Sequence, residues 1–205
     1  MRTLPACLAL LVPIGCASGP SFETEEVLTF PGWAACADGN PALYIPGPLG
    51  KHIAVRLDAP EPPYEVRGLS VALLQSAQAY AGRTCSTQAA ISLAVFVDDA
   101  EEATDFEGKN KPRYTALAGG ELTGGKGKNG TVREAALTLD EPVLVEEEGY
   151  LWVVYQALGG DEDPMPCVAA CDGAEMPPAW QWSSDDSGFA RMTTSRPGFR
   201  VTVGR

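Results

Sequence analysis

The chain has 205 residues and carries 15 Lys and Arg against 27 Asp and Glu, a formal net charge of −12, with a single histidine. That length suits one large all-β domain with a real core, or less readily two small ones. The acidity works against a surface that tracks phosphates by releasing counterions, so nucleic acid is not an expected partner.

In chain order, the first residues read as an export signal. Arg2 supplies the positive end, Ala6 to Ile14 the apolar segment, and Gly15, Ala17, Ser18 and Gly19 the small residues. The apolar segment is too short to span a bilayer. At Pro13-Ile14-Gly15-Cys16 the sequence resembles a bacterial lipobox. The resemblance implies a signal peptide over 1–15, lipidation of Cys16 and anchoring to a membrane through the lipid. Pro13 and Ile14 depart from the usual residues, and plain secretory cleavage is the alternative. Residues 16–26, small, polar and acidic, read as a tether to a folded domain over 27–205. Expected locations are the outer membrane, the cell surface or the periplasm. In an exported chain Cys36, Cys85, Cys167 and Cys171 are expected to form disulfides, with three pairings open. The expectation favours Cys36 with Cys85, closing a loop worth about 4 kcal/mol of chain entropy, and Cys167 with Cys171, stapling a loop.

Val27 to Phe30 is a short β-like segment, after which turn chemistry runs to Lys51. His52 to Leu57 places Ile53, Val55 and Leu57 on one face, and Tyr64 to Gln75 and Ala89 to Val97 are further strands. Between those two, a turn of helix is expected near Gln75 to Tyr80. Asp98 to Glu107 and the lysines after it read as solvated surface. Tyr114 to Thr123 is another strand, and the glycine-rich 124–130 a hairpin loop. Thr131 to Leu139 alternates with one slip that suggests a bulge. Leu137 to Leu158 holds two apolar runs around Glu146-Glu147-Glu148-Gly149, and reads as the central hairpin of the fold. Its second run, Tyr150 to Tyr155, has the composition of a strand buried on both faces. Gly159 to Pro178 reads as a long loop, followed by β-like pieces at Trp180 to Ser183, near Phe189 to Thr194, and at Phe199 to Val203.

About eight or nine short strands with little helix predict an all-β, antiparallel β-sandwich, jelly-roll-like, in one domain. With its weak lipobox, the strand-then-proline at Leu57 to Pro60, the Leu139 to Val145 approach and the late Trp182-Ser183, the chain resembles uncharacterised exported bacterial lipoproteins with a jelly-roll or galactose-binding-like domain. That resemblance brings no catalytic residues.

Chemistry is sparse. Gly120 to Lys126 fits G-x₄-G-K, but Gly127 replaces the Ser or Thr that would hold Mg²⁺, so no nucleotide is expected. A triad would have to use His52, which reads as a surface histidine. Carboxylate pairs for a hydrolase cannot be ranked. No cofactor is expected, save a structural Ca²⁺ for which Asp161, Glu162 and Asp163 are candidate ligands. Trp33, Trp180 and Trp182 lie in or beside turn-rich segments and are the ligand-binding candidates, able to stack on sugar rings or a partner protein if exposed. The expected function is therefore a non-catalytic binding role at the cell envelope, toward a glycan or an envelope protein. The alternatives are a structural or assembly component of an envelope complex and a secreted hydrolase.

Overall fold

The computed structural model describes residues 21–30, 33, 43–46, 51–78, 82–106, 113–159, 163–172, 177–182, 188–193 and 195–205. Thirteen strands form two antiparallel sheets: β1 (Glu25–Thr29), β2 (Leu43–Pro46), β3 (His52–Leu57), β4 (Tyr64–Gln75), β5 (Ile91–Asp98), β6 (Ala118–Leu122), β7 (Thr131–Val145), β8 (Tyr150–Ala157), β9 (Cys167–Asp172), β10 (Ala179–Trp182), β11 (Phe189–Met192), β12 (Ser195–Pro197) and β13 (Phe199–Gly204). The neighbours β1-β13-β4-β7 in one sheet face β3-β8-β5-β6 in the other. Among these eight strands every step along the chain except β5 to β6 crosses from one sheet to the other, in the order of a jelly roll. Strands β2, β9 and β12 extend the first sheet, and β10 and β11 the second. The expected fold class holds, with more strands than foreseen.

Alternation builds the core. Ile53, Val55 and Leu57 of β3, Leu93 and Val95 of β5, and Leu151, Val153 and Tyr155 of β8 meet Val66, Leu69, Val71 and Leu73 of β4 and Phe199, Val201 and Val203 of β13. Burying each such side chain contributes roughly 1.5–3 kcal/mol before entropy is counted. In β4 the inward positions change from even to odd after Val66, because Arg67 is bulged out of both ladders. Opposite it, β7 spends Leu139 to Pro142, so the irregularity of β7 falls at its proline. The slip at Val132 is not a bulge: its pairing with Leu74 is regular, and Val132 packs on the outer face of the sheet.

Three expectations are corrected. Strands β7 and β8 are not a hairpin, since β7 pairs with β4 while β8 lies between β3 and β5 in the other sheet. The 146–149 turn therefore carries the chain across the sandwich. Likewise 123–130 crosses between sheets from β6 to β7, pinned by Gly124 N–H to the Thr87 carbonyl at 2.7 Å and by Thr87 Oγ1 donating to the Gly125 carbonyl at 2.6 Å. A strand and not a helix follows it, so no helix amino end is there to hold phosphate. Of the helical turn expected near Gln75 to Tyr80, the described part instead ends β4 at Gln75 and bridges Ser76 to Cys85, and residues 79 and 80 lie outside the described residues.

The disulfide pairing also differs. Cys85 is bonded to Cys167, with Cα atoms 5.4 Å apart and a separation of 82 positions in sequence. Cys167 and Cys171 share the extended β9, where four residues span about 13 Å, well beyond disulfide reach. The Cys167–Cys171 staple is thus excluded by the strand, and a Cys36–Cys85 bond by the Cys85–Cys167 one. Cys171 is disulfide-bonded as well; Cys36 and Cys16 lie outside the described residues. This oxidised chemistry is consistent with an exported, non-cytoplasmic protein.

Candidate functional site

The tryptophans do not form a surface. Trp180 is 0% exposed and Trp182 3%, and their shared strand face packs with Ala54, Phe96, Trp152, Val154 and Phe189 on the outer side of the second sheet. Trp152 and Trp180 have ring centroids 5.1 Å apart, and Phe106 meets Trp152 edge-on at 4.9 Å. This is a second core, separate from the one between the sheets. Its roof is the segment after β5, where a 3₁₀ turn at Ala103–Phe106 buries Ala103 and Phe106 and Tyr114 stacks on Phe96. Part of the segment read as solvated surface is therefore a lid of the aromatic cluster. Trp180 Nε1 donates to Glu102 at 2.9 Å, and Arg56 Nη1 donates to the Glu101 carbonyl at 2.9 Å.

Trp33 is buried too, against Ala72, Ala169 and Cys171 on the outer face of the first sheet, under the Arg200 guanidinium at 3.9 Å. None of the three indoles is presented for stacking on a sugar, which removes the basis on which they were ligand-binding candidates.

His52, expected at the surface, is buried in β3 with Trp182 edge-on to it. Burial first, then the charge of Lys51, holds its pKa down to about 4, so the imidazole is neutral at physiological pH. Asp163 accepts hydrogen bonds from the Thr84 backbone N–H at 2.7 Å and from its hydroxyl at 2.9 Å, which hold its carboxyl below the usual range. It braces the chain beside Cys85. Asp161 and Glu162 lie outside the described residues, and among those described no three His, Cys, Asp or Glu side chains converge as a metal cluster would.

Two clefts among the described residues lie elsewhere, at the end of the sandwich where β3 and β5 finish, β4, β6 and β8 begin and β7 ends. One cleft of about 330 Å³ is lined by Val97, Thr115, Leu117, Leu144, Val145, Glu146 and Glu147. A second, about 460 Å³, is lined by Ala59, Pro60, Glu61, Pro62, Glu148 and Gly149. The crossing turn at 146–149 contributes to both. Among the described residues the exposed large hydrophobics are Val27, Leu117 and Leu144, and two of these three line the first cleft. Glu61, Glu146, Glu147 and Glu148 form no ion pair among the described residues, whereas Glu26, Glu65 and Glu134 each face an arginine. Among the described residues the site is thus an apolar trough whose acidic rim forms no ion pair.

Sequence reasoning missed this site while naming its pieces. The glutamate run was visible as a turn, but its facing residues, Val97, Leu117 and Pro60, come from strands far apart in the chain. The end it occupies is also where the chain enters the fold: Glu25 pairs with Gly204, Gly204 with Glu65, and Glu65 with Leu144. Three strand spacings, about 14 Å, separate Glu25 from the cleft. Comparison with family models, curated proteins and solved structures finds no match.

Proposed function

We propose that this is an exported, lipid-anchored binding protein of the cell envelope that performs no chemistry and takes its ligand at the acid-rimmed end cleft. The observation that carries the reading is the pairing of exposed Leu117 and Leu144 with glutamates in no ion pair among the described residues, in one concave place. Exposed apolar side chains gathered in a concavity mark binding surfaces more often than scattered ones do. The neutral, buried histidine favours binding over hydrolysis, because His52 lies at the far end of β3 from Leu57, about 17 Å along the strand. Anchoring at Cys16 fits the geometry: a tether of eight residues to Thr24 reaches at most about 29 Å, which would hold the cleft end toward the membrane.

Two experiments test the reading. Palmitate incorporation that is lost in Cys16→Ser supports the anchor, and normal processing with unchanged partitioning in that variant refutes it. Capture of envelope components by the wild-type protein, compared with a Leu117→Asp, Leu144→Asp double variant, tests the site. Species retained by the wild type and lost by the variant support it; identical retention places binding elsewhere.

A further inference from the structure

The occupant of the cleft follows from its edges and its charge; this rests on the binding reading above. Strand β7 pairs only with β4, and β6 only with β5, among the described residues. The edges of β6 and β7 that face each other are therefore joined by side chains, such as Leu137 over Gly120, and not by a ladder. The uncharged run Ala135 to Leu139 is where β6 faces β7, and on either side of it β7 discourages addition of another strand. It carries Arg133, Glu134, Asp140 and Glu141, and then Pro142, which has no N–H to offer. Beyond the proline, Val143-Leu144-Val145 is uncharged, extended, and opens directly into the cleft.

We infer that this short edge accepts an extended, basic segment of a partner protein, which adds as a strand beside Val143 to Val145. Main-chain hydrogen bonds to the open edge would supply affinity, and side chains alternating along the segment would supply selectivity. One set enters the trough between Leu117, Leu144 and Val97. The other set, lysine or arginine, meets Glu146, Glu147 and, across the crossing turn, Glu148 and Glu61. Four carboxylates at the rim, in no ion pair among the described residues, make a neutral or acidic segment a poor occupant.

The test uses fluorescence anisotropy of the full folded domain with three labelled peptides: Lys-Val-Lys-Leu-Lys-Val-Lys, the same peptide with Ser for Val and Leu, and the same peptide with Glu for Lys. The first is expected to bind at least about tenfold more tightly than either control, and to weaken with added salt. Leu144→Ser and the Glu146→Gln, Glu147→Gln pair should each cost it about tenfold or more, while Glu134→Gln, on the same strand but outside the cleft, leaves it unchanged. Unchanged circular dichroism and melting temperature confirm that each variant is folded. Equal binding of the serine peptide, or insensitivity to Leu144→Ser, overturns the inference. If the peptide fails while envelope capture still depends on Leu117 and Leu144, the basic segment is wrong and the binding reading holds; if capture fails too, both fall.

Discussion

The indole N–H of Trp180 donates to Oε2 of Glu102 at 2.9 Å, across 78 residues of sequence, and so ties the outer face of one sheet to the segment that roofs it. Removing the acceptor in Glu102→Ala should cost about 1.5–3 kcal/mol, the usual worth of a hydrogen bond to a charged group. Glu102→Gln, which keeps an acceptor oxygen, should lose less. Urea denaturation gives the stabilities. Acrylamide quenching of tryptophan emission should rise for the alanine variant alone, and equal quenching in all three proteins would show that the roof is held by other contacts.

The Cys85–Cys167 bond closes a loop of 82 residues, worth about 4.5 kcal/mol in the chain-entropy account. Cys85→Ser and Cys167→Ser should each lose most of that, and the double variant little more than either. Non-reducing peptide mapping should recover Cys85 and Cys167 in one linked fragment. A fragment in which Cys167 is joined to Cys171 would contradict the strand assignment of β9.

His52 links stability to pH. Its folded-state pKa, about 4, lies below the ordinary 6.5, so the unfolded chain binds the proton more readily. Its neutral form therefore contributes fully above pH 6.5, and that contribution is lost as pH falls from 6.5 toward 4, by on the order of 2 kcal/mol. Urea midpoints at pH 7.5, 5.5 and 4.5 should fall more steeply for the wild type than for His52→Gln. Parallel curves would mean that the ring is solvated.

Gly149 ends the crossing turn with φ of +153°, and a Cβ there would come within 2.8 Å of Val97 Cγ1 and 3.1 Å of the Asp98 carbonyl. Gly149→Ala should destabilise the fold by about 1–3 kcal/mol through backbone strain and this clash. A thermal melt of the variant checks it. A melting temperature within a degree or so of wild type would show that the turn is freer than its packing implies.

The sandwich was legible because its inner faces alternate: Ile53-Val55-Leu57 and Phe199-Val201-Val203 could be assigned a face from spacing alone, and both face the core. Tyr150 to Tyr155 reads as buried on both faces and is so, because Leu151, Val153 and Tyr155 enter the inter-sheet core while Trp152 and Val154 enter the aromatic one. What spacing could not show is which strands pair. The short turn at 146–149 looks like a hairpin, yet its flanking strands are drawn to β4 and β3 in opposite sheets. The same blindness to long-range pairing hid β9, whose Cys-Val-Ala-Ala-Cys has small residues where strands usually carry bulk. Only the packing of Ala169 and Cys171 against Trp33 shows why small residues are there. The tryptophans misled for a related reason: their flanks are turn-like, but Glu102, Ala103, Phe106 and Tyr114, distant in sequence, close over the cluster that holds Trp180.

The central claim is that ligand is taken at the end cleft and not on the sheet faces. Placing a photo-reactive phenylalanine analogue at Leu144 and, separately, at Thr138 on the polar outer face of β7 tests it in intact envelopes. Irradiation should yield a discrete crosslinked adduct from position 144 and none from 138. Adducts of equal yield at both positions, or at 138 alone, would contradict it.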